Sequence, residues 1–384
     1  MTFTLSPRRG AWPLAAVLLV LGSTGCSPND DYRPAAVGRE ASITIVIDSS
    51  QWRGEVGEAL RDQLGAPIRT LPGAPEASFE LQAIAINGPI TQEQIRRQKN
   101  LIFVSPLSDS TAEARFMRDR LDSEARQAIE SGGAAVVARP DLWRRSQMVV
   151  YVTASNPDVL AETINSRGSD LRYAFNDITR ERVEEDMFER GRQFDIEERL
   201  MERHGFAVNA QHDYFIATDT TVGKTGFVWL RRVPSSDSWR SLFVYYEENA
   251  DPSKLTPEWI YQTRDSLARE YITGTVGGFP EIDQRRPLET ENIDFLGRYG
   301  FETRGLWDMV SYNDSTGARV QYGDAGPLLI YTFYDQPTGR LYLIDGMVFA
   351  PGYEKREFLR HLEVIAHTFR TQQAEETSEE VAAG

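Results

Sequence analysis

The sequence predicts an α+β protein built as two α/β sandwich domains, with mostly antiparallel or mixed sheets covered by helices. Three observations carry this. Residues 43–47, Ile-Thr-Ile-Val-Ile, have the near-continuous β-branched composition of a strand covered on both faces. Apolar residues at helical spacing follow, Trp52, Val56, Leu60 and Leu64, and then further short apolar runs, giving a β-α-β-β-α order. From Gly205 onward strand patterns dominate, with two amphipathic helices among them.

In the first expected domain, residues 42–204, strands are read at 79–86, 101–104 and 148–152, with a charged helical excursion over 109–131. Asn156-Pro157-Asp158 opens a helix, because Pro suits a first helical position. The helical pattern then runs to about His204, with breaks near Gly168 and Gly191, so that the domain ends in a long helical region. In the second, residues 205–371, strands are read at 214–218, 226–232, 242–247, 295–307, 328–334 and 341–350. Thr256-Pro257-Glu258 is an N-cap signature for a helix carrying Trp259, Thr263, Leu267 and Tyr271 on one stripe. Residues 335–339 read as a hairpin turn, and the closing helix aligns Phe358, Leu362, Ile365 and Phe369. Residues 372–384 are an acidic tail without aromatics, expected to be disordered.

The start of the chain has its own logic. Arg8 and Arg9 precede an apolar run at 11–21, and small residues lead to Cys26, the only cysteine. This is the layout of a secretory signal, 1–25. The run is shorter than the roughly 20 apolar residues that span a bilayer. The cysteine at the cut resembles the lipobox of bacterial lipoproteins. That resemblance implies a lipid on Cys26 and an anchor in a bacterial membrane, the outer membrane first, with the protein facing periplasm or surface. Residues 26–41, with Pro28, Pro34 and Gly38, then form a tether.

Composition sets limits. The 384 residues carry 42 Lys and Arg against 57 Asp and Glu, a net charge of −15. Nucleic-acid binding needs a basic footprint, so no nucleic-acid partner is expected. Apolar content of 41% with 10% aromatics supports packed cores.

Catalytic motifs are absent from the pattern. Gly223-Lys224-Thr225 ends like a phosphate-binding loop, but Thr218 stands where the pattern requires glycine, and the segment lies between strands, so it reads as a hairpin turn. His361 and His367 are six apart on a helix, about 240° around, and cannot share a metal. Asn313-Asp314-Ser315 reads as a solvated turn. There is no Gly-x-Ser-x-Gly elbow, and Ser49 and Ser50 suit a helix start. No metal, cofactor or catalytic residue is expected, and the chain is read as a non-enzyme. The charged stretch 179–203 reads as a solvated helix packing one face between the domains.

The candidate binding residues are Trp229, Arg231, Arg304 and Trp307. Alternation over 226–232 puts Phe227, Trp229 and Arg231 on one face. Arg304 and Trp307 have opposite parity unless Gly305 makes a bulge. Aromatics with Arg form recognition surfaces, and equally form cores with a snorkelling Arg.

Several stretches together resemble the DUF4837 family of uncharacterised lipoproteins from Bacteroidetes and their relatives. They are Ile-Val-Ile-Asp48-Ser-Ser-Gln-Trp52, Pro140-Asp-Leu-Trp143 with Gln147-Met-Val-Val-Tyr151, Phe227-Val-Trp-Leu-Arg231, Glu302-Thr-Arg-Gly-Leu-Trp307, and the ending from Gly346 to Arg360. The resemblance covers roughly 43–370 and implies an envelope lipoprotein with no assigned activity. The second domain is also loosely similar to the PsbP/Mog1-type sandwich. The expected role is binding or assembly in the envelope, with an envelope protein as partner. The alternatives are a hydrolase of envelope glycans or peptides, which needs a cleft with paired carboxylates or a Ser–His pair, and a carrier of an apolar ligand, which needs an apolar cavity.

Overall fold

Two large sheets organise the chain, with helices on both faces of each. The computed structural model describes residues 33–372, apart from 236, 275 and 276. The expected signal, Cys26, the first part of the tether and the tail from 373 onward lie outside the described residues. The described residues from Ala35 on form one compact unit.

The first half runs β1 (Ser42–Val46), α1 (Ser49–Arg53), α2 (Glu55–Leu64), β2 (Glu80–Ile84), α3 (Pro89–Arg96), β3 (Asn100–Pro106), α4 (Ala112–Arg118), α5 (Ser123–Glu130), β4 (Ala134–Pro140), β5 (Met148–Ala154), α6 (Pro157–Ser166), α7 (Gly168–Glu189) and α8 (Phe194–His204). The sheet order is β2-β1-β3-β5-β4. Its first four strands are parallel and β4 is an antiparallel edge, so the sheet is mixed. β3, at its centre, is buried along its whole length, as a parallel strand with two covered faces must be. Val56, Leu60 and Leu64 of α2 pack one face together with Leu160, Ile164, Leu171 and Phe175 of α6 and α7. The short helices α3 to α5 cover the other face, over Phe103, Met117 and Ile129. Asn156 caps α6 by accepting from the Val159 amide at 3.1 Å, with Pro157 in the first turn. The helical breaks fall where expected, at Arg167/Gly168 and around Gly191.

The second half runs β6 (Phe206–Ala207), β7 (Phe215–Val222), β8 (Thr225–Ser235), β9 (Ser238–Glu248), α9 (Pro257–Tyr271), β10 (Phe279–Ile282), β11 (Glu289–Phe295), β12 (Arg298–Tyr312), β13 (Arg319–Asp335), β14 (Arg340–Phe349), α10 (Arg356–His367) and β15 (Arg370–Thr371). The eight-stranded antiparallel sheet has the order β10-β12-β13-β14-β9-β8-β7, with β11 also on β12. The single strand expected over 295–307 is corrected to a hairpin. Leu296 and Gly297 adopt positive φ, 53° and 78°, and turn β11 into β12 so that Phe295 pairs with Arg298. Two successive left-handed residues match the twist of paired strands. α9 packs on one sheet face through Ile260, Leu267 and Ala268. α10 packs on the other, where Val183, Met187 and Leu200 of α7 and α8 join the same core.

The two halves also meet through Glu76, in the loop before β2. Its carboxylate accepts from the amides of Lys355 and Arg356 at the start of α10, both at 2.8 Å. A negative charge there satisfies donors that the helix cannot, and complements its dipole. Among the described residues no helix is long and apolar enough to cross a membrane.

Candidate functional site

The α9 face of the large sheet carries two arginines in opposite situations. Arg264 of α9 is 0% exposed and fully engaged. Its Nε donates to Asp345 at 3.0 Å, and its Nη1 to Asp265 at 3.0 Å and to the Pro280 carbonyl at 2.6 Å. Burial and the Asp265 charge push the Asp345 carboxyl up, while Arg264 pulls it back. This is a buried structural pair, in which, among the described residues, only Asp345 Oδ1 lacks a hydrogen-bond partner.

Arg231 has no such partners. Alternation along β8 puts Phe227, Trp229 and Arg231 on this face, and the β8–β9 register sets Arg231 opposite Ser241. β9 continues the row with Trp239, which lies opposite Phe349 of β14. The Arg231 guanidinium stands 4.8 Å from the Trp229 ring centroid and 5.8 Å from that of Trp239. Trp239 in turn stacks on Trp307 at 5.3 Å and on Phe349 at 5.7 Å. Among the described residues Arg231 makes no hydrogen bond or ion pair, and its Nε is buried. Burial alone lowers its pKa, with no carboxylate opposing. Three more buried polar atoms in these rows lack a partner: Trp229 Nε1, Trp307 Nε1 and Ser241 Oγ. Natural proteins rarely leave so many unmatched polar groups together, because each costs about 1–3 kcal/mol. What the cluster lacks is an acceptor, ideally anionic, since ring faces attract the cation and leave its N–H edge free.

Three of the four candidate residues therefore converge. Trp307 is 0% and Trp229 8% exposed, so these indoles serve as walls and not as an open patch. Arg304 is corrected out of the group. Gly305 forms no bulge, because the β12–β13 register shifts only between Asp308 and Val310, leaving Arg304 and Trp307 on opposite faces. Arg304 instead pairs with Glu302 and Glu363 on the α10 side. There burial works to raise the Glu363 carboxyl, but Arg304, His367, Arg180 and Arg360 hold it below its usual range. Trp239 and Phe349 also belong to the cluster, though no sequence motif singles them out. Carrying the β9 alternation back from Phe243 through Ser241 would have reached Trp239.

The other motifs resolve simply. Gly223, at φ 60°, sits in the β7–β8 hairpin turn. Asn313 Oδ1 accepts from the Ser315 and Thr316 amides in a local turn. Asp48 caps α1 by accepting from the Ser50 amide at 2.8 Å. His204 bonds Asp219 at 3.0 Å and Tyr246 at 3.3 Å, and burial lowers its pKa against the pull of Asp219. His361 lies against Arg240, and burial with that charge pushes it down to about 3. His367 bonds the Glu363 carbonyl. Among the described residues no histidine bonds a serine, and no three His, Cys, Asp or Glu converge to hold a metal.

No curated protein matches this chain. Among solved structures, the Saccharomyces cerevisiae Ran-binding protein Mog1p is similar at 10% identity, covering 44% of this chain and 90% of that one, with a TM-score of 0.28. Residues 36–188 match a second family model, described as domain of unknown function DUF8532. The resemblance read over 43–370 is thus confined to the second half, and the segments around Asp48–Trp52, Trp143 and Tyr151 fall under the other model. Residues 193–368, with every side chain of the Arg231 cluster, match the family model described as domain of unknown function DUF4837.

Proposed function

We propose that this chain is a lipid-anchored protein of a bacterial envelope, most simply of the outer membrane, that works as a non-catalytic binding module. Its site is the Arg231 cluster, and its ligand presents a carboxylate, whether free or on an envelope protein partner. One observation supports the site above others. Arg231 stands between two indoles with a buried Nε and no acceptor, on the same face where Arg264 has two carboxylates. The anchor rests on the sequence around Cys26, preceded by Arg8, Arg9 and the apolar run.

Benzoate tests the site, with benzyl alcohol as its neutral counterpart. Benzoate is expected to change the indole fluorescence saturably, benzyl alcohol not, and Arg231→Met to remove the response. Equal responses to both compounds, or an unaltered Arg231→Met, would exclude Arg231 as an anion receptor. For the anchor, Cys26→Ser should lose incorporation of a fatty-acid analogue in cells. Equal label in mutant and parent contradicts lipidation at that residue.

A further inference from the structure

The first half contains a second cleft, unconnected with the Arg231 reading. It opens on the α4–α5 side of the first sheet, beside edge strand β4, and encloses about 400 Å³. That volume falls within the roughly 300–1,000 Å³ of small-ligand sites. Its walls are apolar: Met117, Leu121, Val137, Leu142, Trp143 and Tyr151.

The wall carrying Leu142 and Trp143 is held in place at some cost. The β4–β5 connection contains two non-glycine residues in the left-handed region, Asp141 at φ 51° and Ser146 at φ 56°. Such positions persist only where the surroundings over-determine them. Here the buried Gln147 does so. Its side-chain nitrogen donates to the carbonyls of Arg96 at 2.9 Å and Gln98 at 2.8 Å, and its Oε1 accepts from the Trp143 amide at 3.1 Å. Asp141 Oδ1 accepts from the Gln147 amide at 3.1 Å. Trp143 is thereby set edge-on to Phe103, at 6.0 Å.

The charges around this cleft are mainly positive. Arg120 and Arg139 line it, and Arg96 stands behind Trp143, 5.5 Å from the ring centroid. Among the described residues none of the three forms an ion pair. Arg120 donates to the Phe116 carbonyl at 2.9 Å, lies over the Phe116 ring at 3.3 Å and hydrogen-bonds the Tyr151 hydroxyl, and Arg139 donates to the carbonyl of Ala138 at 3.3 Å. The one acid in the lining, Asp122, is engaged as the cap of α5, accepting from the Ala125 amide at 2.8 Å. Burial raises the Tyr151 phenol, while Arg120, Arg96 and Arg139 all oppose that shift, so three cations converge near one hydroxyl. In a chain of net charge −15, three arginines without a carboxylate partner stand around this one cleft.

We propose that this cleft binds an organic carboxylate with an apolar chain or ring, the body against Trp143, Leu121 and Val137 and the carboxylate between Arg120 and Arg139. Apolar walls supply affinity, and the forked guanidinium donors select the anion over a neutral molecule of the same shape.

Calorimetric titration of the Arg231→Met protein tests this, because that background removes the other anion site and keeps the two readings distinguishable. The probe is decanoate, with decanol as its neutral control. Decanoate should bind at a single site and decanol at least about tenfold more weakly, as the loss of a charge-assisted hydrogen bond implies. Arg120→Gln and Arg139→Gln should each weaken decanoate by about tenfold on the same basis. Arg139 is exposed and makes one backbone bond, so its variant keeps the parent melting temperature. Ala125→Trp, which fills the cleft from α5, should abolish binding. Decanol binding as tightly as decanoate, both arginine variants binding unchanged, binding that survives Ala125→Trp, or no decanoate binding at all would each overturn the proposal.

Discussion

Replacing Arg231 by Met should leave the unliganded protein as stable as the parent or slightly more so, whereas Arg264→Met on the same sheet face should be severe. Arg264 has two carboxylates and a carbonyl within 3.0 Å. Removing it strands the buried Asp345, and breaking a buried pair from one side costs about 3–5 kcal/mol. Arg231 has only its two ring contacts, at 4.8 and 5.8 Å. Those are worth about 0.5–1 kcal/mol each. Against them stands the buried Nε, whose missing acceptor costs about 1–3 kcal/mol. Met keeps an apolar stem against both indoles, so the net change should lie within about 1 kcal/mol of zero and tend to stabilise. Urea denaturation of the two variants, followed by tryptophan fluorescence, measures both. Benzoate should stabilise the parent by about 2.7 kcal/mol at a hundred times its dissociation constant, and leave Arg231→Met unchanged. A loss above about 2 kcal/mol in unliganded Arg231→Met would refute the reasoning, since by the cation–π balance Arg231 would then be holding the stack together.

Trp307→Ala should cost about 3–5 kcal/mol, because a fully buried indole stacked on Trp239 leaves a cavity that the sheet cannot close; a midpoint shift worth under about 1 kcal/mol would contradict its burial. Glu76→Ala should cost about 1–2 kcal/mol through the orphaned amides of Lys355 and Arg356, read in the same denaturation curves, and an unchanged curve would remove Glu76 as the cap of α10. Acid should destabilise the protein partly through His361. Its folded pKa, about 3, lies below the unfolded value near 6.5, so the unfolded chain binds the extra proton between these limits, and stability present above pH 6.5 is lost as pH falls toward 3. The loss from this residue reaches about 2 kcal/mol at pH 5. His361→Gln should flatten that limb of the stability–pH curve, and a limb of unchanged slope would assign it to other groups.

The parts of this fold legible in the sequence are those that local physics decides. β1 announces itself by β-branched composition and α9 by the Thr256 cap, whose Oγ1 accepts from the Trp259 amide at 3.2 Å. β4 does not. It is a half-exposed edge strand with Arg139 and Pro140 at its end, so it lacks the apolar run of a covered strand. α3, mostly polar and eight residues long, is equally silent.

The two sites divide along the same line. That Trp229 and Arg231 share a face follows from the two-residue period of a strand and needs no partner strand. That Trp239 and Phe349 complete the stack depends on how β8, β9 and β14 are paired, which is non-local. A register offset of one residue in β12 would have carried Arg304 to the α9 face. The shift comes after Trp307 instead, between Asp308 and Val310, and Arg304 goes to Glu302 and Glu363. Arg231 is thus left uncompensated by the fold's own pairing. Its lack of a counter-ion is a property of strand register, which is why composition and spacing could point to the residue but not to what it lacks.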